Sequence, residues 1–267
     1  MVARFLTAAA LMLLAAAPAL AGPVRQLCQS CHPSHYVERG LCTTCHRGNP
    51  ASDRKNIAHQ LLISGRYAAF TLGDSPLLRR GERLIEQFAC RRCHVIGGRG
   101  NRLSANLDHS VARKAPEAIT ESILHPVQNM PDFYMEESRS VLLVNALLAE
   151  AGRQKAVSGE QRQIVHFDRT GTVGKDIFSR TCGSCHRALT ARLGGLGQGD
   201  AGPNLSGLLS PHYTATFREN ARWAERELGE WLKNPRQIRA MARMQPVIMT
   251  AAEFRELVEI LTVESTE

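Results

Sequence analysis

Hydrophobic and polar positions follow the period of an α-helix in several separate stretches of this chain. Short amphipathic helices are predicted over residues 81–88 and 174–181, and each leads into a Cys-containing segment. Longer ones are predicted over residues 136–150 and 250–261. The pattern therefore predicts a mainly α fold in which a short helix and a longer helix occur twice.

The segments between these helices also repeat in the same order. Each copy has a Gly-containing loop, a Leu-Ser pair, a helical stretch that ends near a proline, and then a methionine. These positions are Leu103-Ser104, Pro126 and Met130 in the first copy, and Leu205-Ser206, Pro235 and Met244 in the second. The two Leu-Ser pairs are expected to correspond to each other.

All eight cysteines lie in four copies of the pentapeptide Cys-x-x-Cys-His. The copies, called the first to fourth haem motifs below, are Cys28-Gln29-Ser30-Cys31-His32, Cys42-Thr43-Thr44-Cys45-His46, Cys90-Arg91-Arg92-Cys93-His94 and Cys182-Gly183-Ser184-Cys185-His186. In a c-type haem attachment site, the two thiols add across the porphyrin vinyl groups and the histidine binds the iron from one face. Four covalent haems are therefore expected, with the motif histidines as iron ligands.

Disulfides and zinc sites are the alternatives for Cys-x-x-Cys pairs, and the first two pairs have a spacing that a zinc ribbon can use. Neither alternative requires a histidine directly after each pair. That histidine recurs four times in a chain with 10 histidines among 267 residues. Haem attachment is the interpretation that this repetition favours.

The first 21 residues are predicted to be a secretory signal peptide. Arg4 lies near the start, residues 8–20 are apolar, and Ala19-Leu20-Ala21 forms a small-residue cleavage site, so cleavage is expected after Ala21. Cytochromes with this attachment chemistry mature outside the cytoplasmic membrane, which predicts the periplasm of a Gram-negative bacterium. An uncleaved membrane anchor is the alternative. Residues 141–149 are also mostly apolar but far too short to span a bilayer.

The net charge must be corrected for the haems. The chain has a formal charge of +8, and loss of Arg4 with the signal leaves +7. Eight haem propionates would offset most of this charge, so the basic residues serve first as propionate counterions, and nucleic acid binding is not expected. Arg91 and Arg92 are expected near an exposed haem rim, where they either pair with propionates or steer an acidic partner.

The spacing of the motifs predicts the domain organisation. The first two motifs lie 14 residues apart, too close for separate globular domains, whereas the third and fourth are each followed by about a small domain's length. The predicted divisions are a signal peptide at residues 1–21, a dihaem module at 22–72, a first single-haem domain at 73–150, a linker at 151–172 and a second single-haem domain at 173–267.

The two single-haem blocks resemble class I cytochrome c domains. The second block carries the resemblance most clearly, in Gly202-Pro203-Asn204-Leu205, Trp231-Leu232-Lys233-Asn234-Pro235, Met244-Gln245-Pro246 and Thr250-Ala251-Ala252-Glu253. The first block has Asn129-Met130-Pro131 but reads Gly100-Asn101-Arg102-Leu103 where the family usually has a proline. The resemblance implies that the Pro203 carbonyl accepts a hydrogen bond from His186, with Asn101 in that role for the first block.

The N-terminal block resembles small multihaem cytochromes, in which a histidine from one segment ligates a neighbouring haem. His35 lies too close to His32 in sequence to reach the opposite face of the same iron, so it is assigned to the second haem. His59 is then assigned to the first haem. A surface or propionate-binding role for one of these two histidines is the alternative.

The sixth ligand of each C-terminal haem is expected to be a methionine. Met130 and Met244 are favoured because each lies in a proline-marked irregular segment before the last helix. Met135 and Met249, five residues further on, are expected to fill gaps in the core, and Met241 is a weaker competitor. Trp223 and Trp231 are expected in the preceding helical stretch, with Trp231 at the haem edge and its indole N–H on a polar partner.

If every iron has two protein ligands, none is open to substrate and the expected chemistry is one-electron transfer. The resemblance suggests a relay between redox partner proteins, and the arrangement looks like a cytochrome subunit working beside a membrane quinol-oxidising b-type complex. No small-molecule substrate is expected. The alternative is a haem enzyme of the dihaem peroxidase or thiosulfate dehydrogenase type, with an open site at the third haem.

Overall fold

The computed structural model describes residues 27–127, 129–154 and 175–266. The predicted signal peptide and most of the predicted linker lie outside these ranges. No helix within them is long and apolar enough to cross a membrane.

Helices dominate the described part of the chain. They are α1 (Cys42–His46), α2 (Lys55–Ala58), α3 (Pro76–Gln87), α4 (Leu107–Arg113), α5 (Pro116–Leu124), α6 (Glu137–Gly152), α7 (Ile177–Thr181), α8 (Glu225–Lys233), α9 (Pro235–Ile238) and α10 (Ala251–Leu261). Short 3₁₀ helices cover Leu27–Ser30, Val37–Arg39, Gly65–Thr71, Cys90–Arg92 and Arg218–Asn220. The predicted mainly α fold is confirmed.

Four short strands form two antiparallel ladders among the described residues. Strands β1 (Gly100–Asn101), β2 (Ala188–Thr190), β3 (Gly194–Leu196) and β4 (Ser265–Thr266) are two or three residues long. Strands β2 and β3 form a local hairpin, with Ala188 opposite Leu196. Strand β1 pairs with β4 near the other end of the chain, with Asn101 opposite Ser265. This second ladder joins the two single-haem blocks.

The first hydrophobic core is built on the crossing of α3 and α6. Gly81 of α3 lies against the backbone of α6, where a Cβ would meet the Leu142 carbonyl oxygen and approach Ala146 Cβ to 2.9 Å. The missing side chain therefore lets the two helices approach closely. Helix α3 ends one residue before its predicted end, and α6 begins one residue after its predicted start. Both agree with the prediction because the helical spacing of apolar residues marks these ends in the sequence.

This core crosses the domain boundary predicted between residues 72 and 73. Ile63 and Tyr67 are fully buried in the same cluster as α3 and α6. The Tyr67 hydroxyl lies 2.7 Å from that of Thr120, and Asn145 of α6 donates to the Arg66 carbonyl and accepts from Phe70 N–H. The end of the N-terminal block is thus packed into the first single-haem block.

The second core is formed by α7, α8 and α10. Phe178, Leu232 and Leu257 lie in its centre. Helix α10 begins where predicted because Thr250 and Glu253 form a reciprocal capping box, which satisfies two free N–H groups of the first turn. Trp223, expected within a helix, lies before the start of α8, and its indole N–H donates to the Thr216 hydroxyl.

We predict that Gly81→Ala destabilises the haem-loaded protein by about 1 to 3 kcal/mol, because the added methyl overpacks the α3–α6 crossing. At an open helical position the same change stabilises by up to about 1 kcal/mol. Gly65→Ala, where nothing lies within 4 Å of an added Cβ, is the matched control. Urea unfolding followed by far-UV circular dichroism measures both, and equal stabilities of the two variants would contradict the prediction.

Candidate functional site

The first haem motif lies on the 3₁₀ helix Leu27–Ser30, and His59 directly follows helix α2. The His32 and His59 ring centroids lie 5.9 Å apart, with the ring planes tilted by 42°. Imidazole nitrogens bind metals at about 2.0 Å, so two imidazoles on one iron have centroids about 6 Å apart. This distance is compatible with the prediction that His59 is the second ligand of the first haem.

The second haem motif forms α1, and its histidine meets His35 from the preceding segment. The His35 and His46 ring centroids are 5.6 Å apart. His46 Nδ1 lies 2.8 Å from the Ile63 carbonyl oxygen, a contact that fixes the ring and would leave Nε2 free for a metal. The structure therefore brings together both histidine pairs that the sequence predicts, with the same pairing.

The third haem motif opens into a cavity lined mainly by apolar side chains. Cys90, Cys93 and His94 lie on one side of it, and Met130 and Met135 both line it. Its apolar lining, which includes residues of α5 and α6, suits a haem. Either methionine is near enough to this cavity to be considered for the sixth position, and Met135 is also part of the buried core.

The carbonyl that holds His94 is not the one expected. His94 Nδ1 lies 2.7 Å from the Ala105 oxygen, whereas Asn101 was predicted for this role. Asn101 is instead completely buried with its amide engaged elsewhere. The prediction was wrong because the loop after the third motif is six residues shorter than the loop after the fourth, which holds the β2–β3 hairpin.

Hydrogen bonds show the correct register of the two blocks. Asn106 Oδ1 accepts the N–H two residues ahead, and Asn204 Oδ1 does the same at Ser206. Ala105-Asn106-Leu107 therefore corresponds to Pro203-Asn204-Leu205. The predicted correspondence of the two Leu-Ser pairs is out of register by four residues.

The fourth haem motif has the hydrogen bond that the resemblance implies. His186 Nδ1 lies 2.8 Å from the Pro203 carbonyl oxygen. Gly202 makes this approach possible, because a Cβ there would overlap the His186 ring. The imidazole is thus held by backbone, with its second nitrogen left for iron.

Met244 has a polar partner, which is Trp231 of α8. The Trp231 indole N–H donates to Met244 Sδ at 3.1 Å. Met249 lies directly before Thr250, the N-cap residue of α10, and so lies outside the loop that was expected to carry the ligand. Met241 is 92% exposed. The hydrogen bond singles out Met244, since it orients that sulfur in the loop before α10.

Burial changes the titration of several motif side chains. It raises the pKa of the Cys90 thiol to about 12 and that of Cys182 to about 11, and it also raises the pKa of Cys93. It lowers the pKa of His94, while the Ala105 hydrogen bond acts in the opposite direction. Metal binding and nucleophilic attack need the thiolate, so these surroundings favour an apolar group joined at sulfur over zinc or a catalytic thiolate.

The two arginines of the third motif differ in exposure, and Arg92 lines the third cavity. Arg91 is buried, pairs with Glu86 and donates to the Ile96 carbonyl oxygen. Arg92 is half-buried against the second single-haem block, where it donates to the Asn204 carbonyl oxygen at 3.3 Å. Both side chains therefore have structural partners within the protein.

The cysteine and histidine side chains of the four motifs fit haem attachment better than zinc binding or disulfides. Within the described ranges, no three His, Cys, Asp or Glu side chains converge as a metal cluster, and all eight cysteines, which those ranges include, are free of disulfides. Each motif instead presents two thiols and one histidine. A second histidine lies near the histidine of each of the first two motifs, Met130 and Met135 line the third cavity, and Met244 packs against the core that contains Cys182. When bound, haem supplies one-electron redox chemistry at its iron.

We predict that Met244→His keeps the fourth haem low-spin and lowers its midpoint potential, because imidazole replaces a thioether as sixth ligand. The weak far-red band from sulfur-to-iron charge transfer, expected from the resemblance, should lose intensity. A spectroelectrochemical titration measures both changes. Met249→Leu and Met241→Leu are the controls, and loss of the band in either of them would reassign the ligand.

We also predict that Trp231→Phe lowers the midpoint potential of the same haem. A hydrogen bond to sulfur withdraws electron density from the thioether and so favours ferrous iron; the phenyl ring lacks the donor. Trp223→Phe, which removes an indole N–H bonded to Thr216, is the matched control. An unchanged potential in Trp231→Phe would mean that its N–H does not reach the bound sulfur.

The family comparison agrees with this geometry at the third motif. Residues 76–138, from α3 to the start of α6, match the family described as cytochrome c oxidase, cbb3-type, subunit III. No curated protein and no solved structure matches this chain. Over these residues the chain is similar to that subunit, and the match supports a c-type cytochrome with covalently bound haem that acts in electron transfer.

Proposed function

We propose that the chain is a periplasmic tetrahaem cytochrome c that relays single electrons between redox partner proteins. The observation that carries this proposal is that all four Cys-x-x-Cys-His motifs have a second ligand candidate nearby. The ring centroids of His59 and His35 lie 5.9 and 5.6 Å from those of the first two motif histidines. Met130 lines the third cavity, and Met244, oriented by Trp231, packs against the core that contains Cys182. A haem with two protein ligands transfers electrons and leaves no position for substrate.

The packing supports a relay in chain order. Arg47, next to the second motif, donates to the Val111 carbonyl oxygen of the first single-haem block at 2.7 Å. That block pairs through β1 with β4 of the second. Successive haem sites are therefore held by one continuous packed structure rather than by linkers alone. The signal peptide predicted at residues 1–21 supports export, and the cleavage site after Ala21 supports release.

The proposed direction of electron flow follows from the axial ligands of the haem irons. Two imidazoles leave a haem at lower potential than an imidazole and a thioether. The N-terminal pair would then receive electrons, and the His/Met haems would pass them on to an acceptor. A membrane quinol-oxidising complex is the proposed donor, because the arrangement resembles the cytochrome subunits that work beside such complexes.

Intact-mass measurement of the exported protein should show four haem additions. Electron paramagnetic resonance of the oxidised protein should show low-spin ferric haems alone. A count below four contradicts the tetrahaem assignment. A high-spin haem in the intact protein would instead favour the enzyme alternative, with an open site.

In the full chain, two of the four potentials should be lower than the others and belong to the bis-histidine haems. We expect His59→Met to raise one of the two lower potentials, because a thioether replaces imidazole. Redox titration of the variant and the parent measures this shift. If His59→Met moves one of the higher potentials, both the ligand assignment and the direction are wrong.

A further inference from the structure

The β2–β3 hairpin of the second single-haem block has two different faces. On one face, Ala188 and Leu196 lie opposite each other and are buried in the second hydrophobic core. The next rung of the ladder pairs Leu189 with Gly195. Successive side chains of a strand point to opposite faces, so this rung points away from that core. Leu189 is nevertheless buried, which means that another part of the protein covers it.

The first single-haem block covers this rung. Leu189 lines the third haem cavity together with His94 and Met130. Gly195 lies against the side chain of Asn129, because a Cβ on Gly195 would overlap the Asn129 amide and lie 2.7 Å from its Cγ. Asn129 directly precedes Met130 in the chain. The hairpin therefore forms a wall of the third haem cavity next to the segment expected to carry the sixth ligand.

Hydrogen bonds fix the hairpin within its own block. Leu189 N–H donates to the hydroxyl oxygen of Ser206 at 2.7 Å. The Thr190 hydroxyl donates to the Gly194 carbonyl oxygen at 2.9 Å and accepts from Leu193 N–H at 3.2 Å, which closes the turn. Ser206 and Thr190 are both buried, so water does not compete for these bonds. The rung is thus a rigid support.

Asn101 fixes the second block against the first. Its amide N–H groups donate to the Arg92 carbonyl oxygen at 2.8 Å and to the Ser210 hydroxyl at 2.7 Å. Its carbonyl oxygen accepts from the Ser265 hydroxyl at 2.8 Å. Because Asn101 is fully buried, separating the two blocks would leave its polar atoms without these partners, which is unfavourable. The hairpin is therefore held in place at the third haem cavity.

We propose that the Leu189–Gly195 rung positions the sixth ligand of the third haem, by holding residues 129–131 where Met130 reaches the iron. This inference rests on the proposed function. Met130 lies between α5 and α6, outside any helix or strand, so contacts from other elements must fix its position. Glycine at position 195 lets the hairpin approach Asn129, and Leu189 shields the cavity from water. The ligand and the potential of the third haem then depend on the second block.

The Met244→His variant provides a background in which the third haem can be followed by itself. It removes the sulfur ligand predicted for the fourth haem, so the remaining far-red band is that of the third. In this full-length, haem-loaded background, Met130→Leu should abolish the remaining band. A band that persists in Met130→Leu would overturn the proposal, and so would the absence of any far-red band in the background.

Gly195→Ala in the same background tests the contact between the blocks. The added methyl overlaps the Asn129 amide and displaces the ligand segment, so we expect the far-red band to weaken several-fold. Adding Asn129→Ala removes that amide and should restore the band. Gly229→Ala, which adds a methyl to α8 of the same block with Phe254 nearest at 3.4 Å, is the control. A parental band in Gly195→Ala, no recovery in the double variant, or equal loss in Gly229→Ala would overturn the proposal.

Leu189→Ala provides a second test that keeps Gly195. It opens the cavity from the side of the second block, and water stabilises the more highly charged ferric haem, so the midpoint potential followed at the far-red band should fall. Leu196→Ala is the matched control, because Leu196 lies in the same hairpin but is buried in the second core. An unchanged potential in Leu189→Ala, or an equal fall in Leu196→Ala, would overturn the positioning role.

Intact mass and spin state, measured on the same samples, separate this inference from the proposed function. Four low-spin haems with a parental far-red band in Gly195→Ala would overturn the positioning role and leave the relay intact. Fewer than four haems, or a high-spin haem in the parent, would contradict the relay itself.

Discussion

The structure depends on one local requirement, which is that a backbone carbonyl oxygen lies within hydrogen-bond distance of Nδ1 of a motif histidine, an arrangement that would leave Nε2 free for a metal. Ile63, Ala105 and Pro203 provide this oxygen for the second, third and fourth motifs. Each lies well after its motif in sequence, so the chain must fold back at each site. Ile63 is itself fully buried, which places a ligand-orienting contact inside the first hydrophobic core.

This requirement explains why the modules are not independent. The segment that orients His46 continues into the buried Tyr67, and the loop that orients His186 packs on Arg92 of the preceding motif. A chain with few aromatic residues has few large apolar side chains with which to build a hydrophobic core, and haem would supply further apolar surface. Neighbouring sites therefore share walls and loops, and the packing that fixes one ligand also positions the next site.

Much of the fold follows from local sequence signals. The amphipathic periods and the Thr250 capping box predict α6 and α10 nearly to the residue. The short helix before the third motif is longer than predicted, because Ser75 and the proline at the first position begin it earlier. The predicted register of the repeat was wrong because the loops after the third and fourth motifs differ in length. The Leu-Ser pairs recur by coincidence, whereas the asparagine turns at Asn106 and Asn204 occupy equivalent positions.

The sequence by itself determined the mainly α class, and it predicted the attachment chemistry and which histidines lie close together, because the Cys-x-x-Cys-His spacing is local and few other ligands lie near the first two motifs. Only the tertiary structure decided which carbonyl holds His94, that Asn101 ties the two blocks together, and that Arg91 is buried while Arg92 packs against the second single-haem block. Those outcomes depend on contacts between residues far apart in the chain, such as Asn101 with Ser265. No local propensity encodes which distant polar group will satisfy a buried amide.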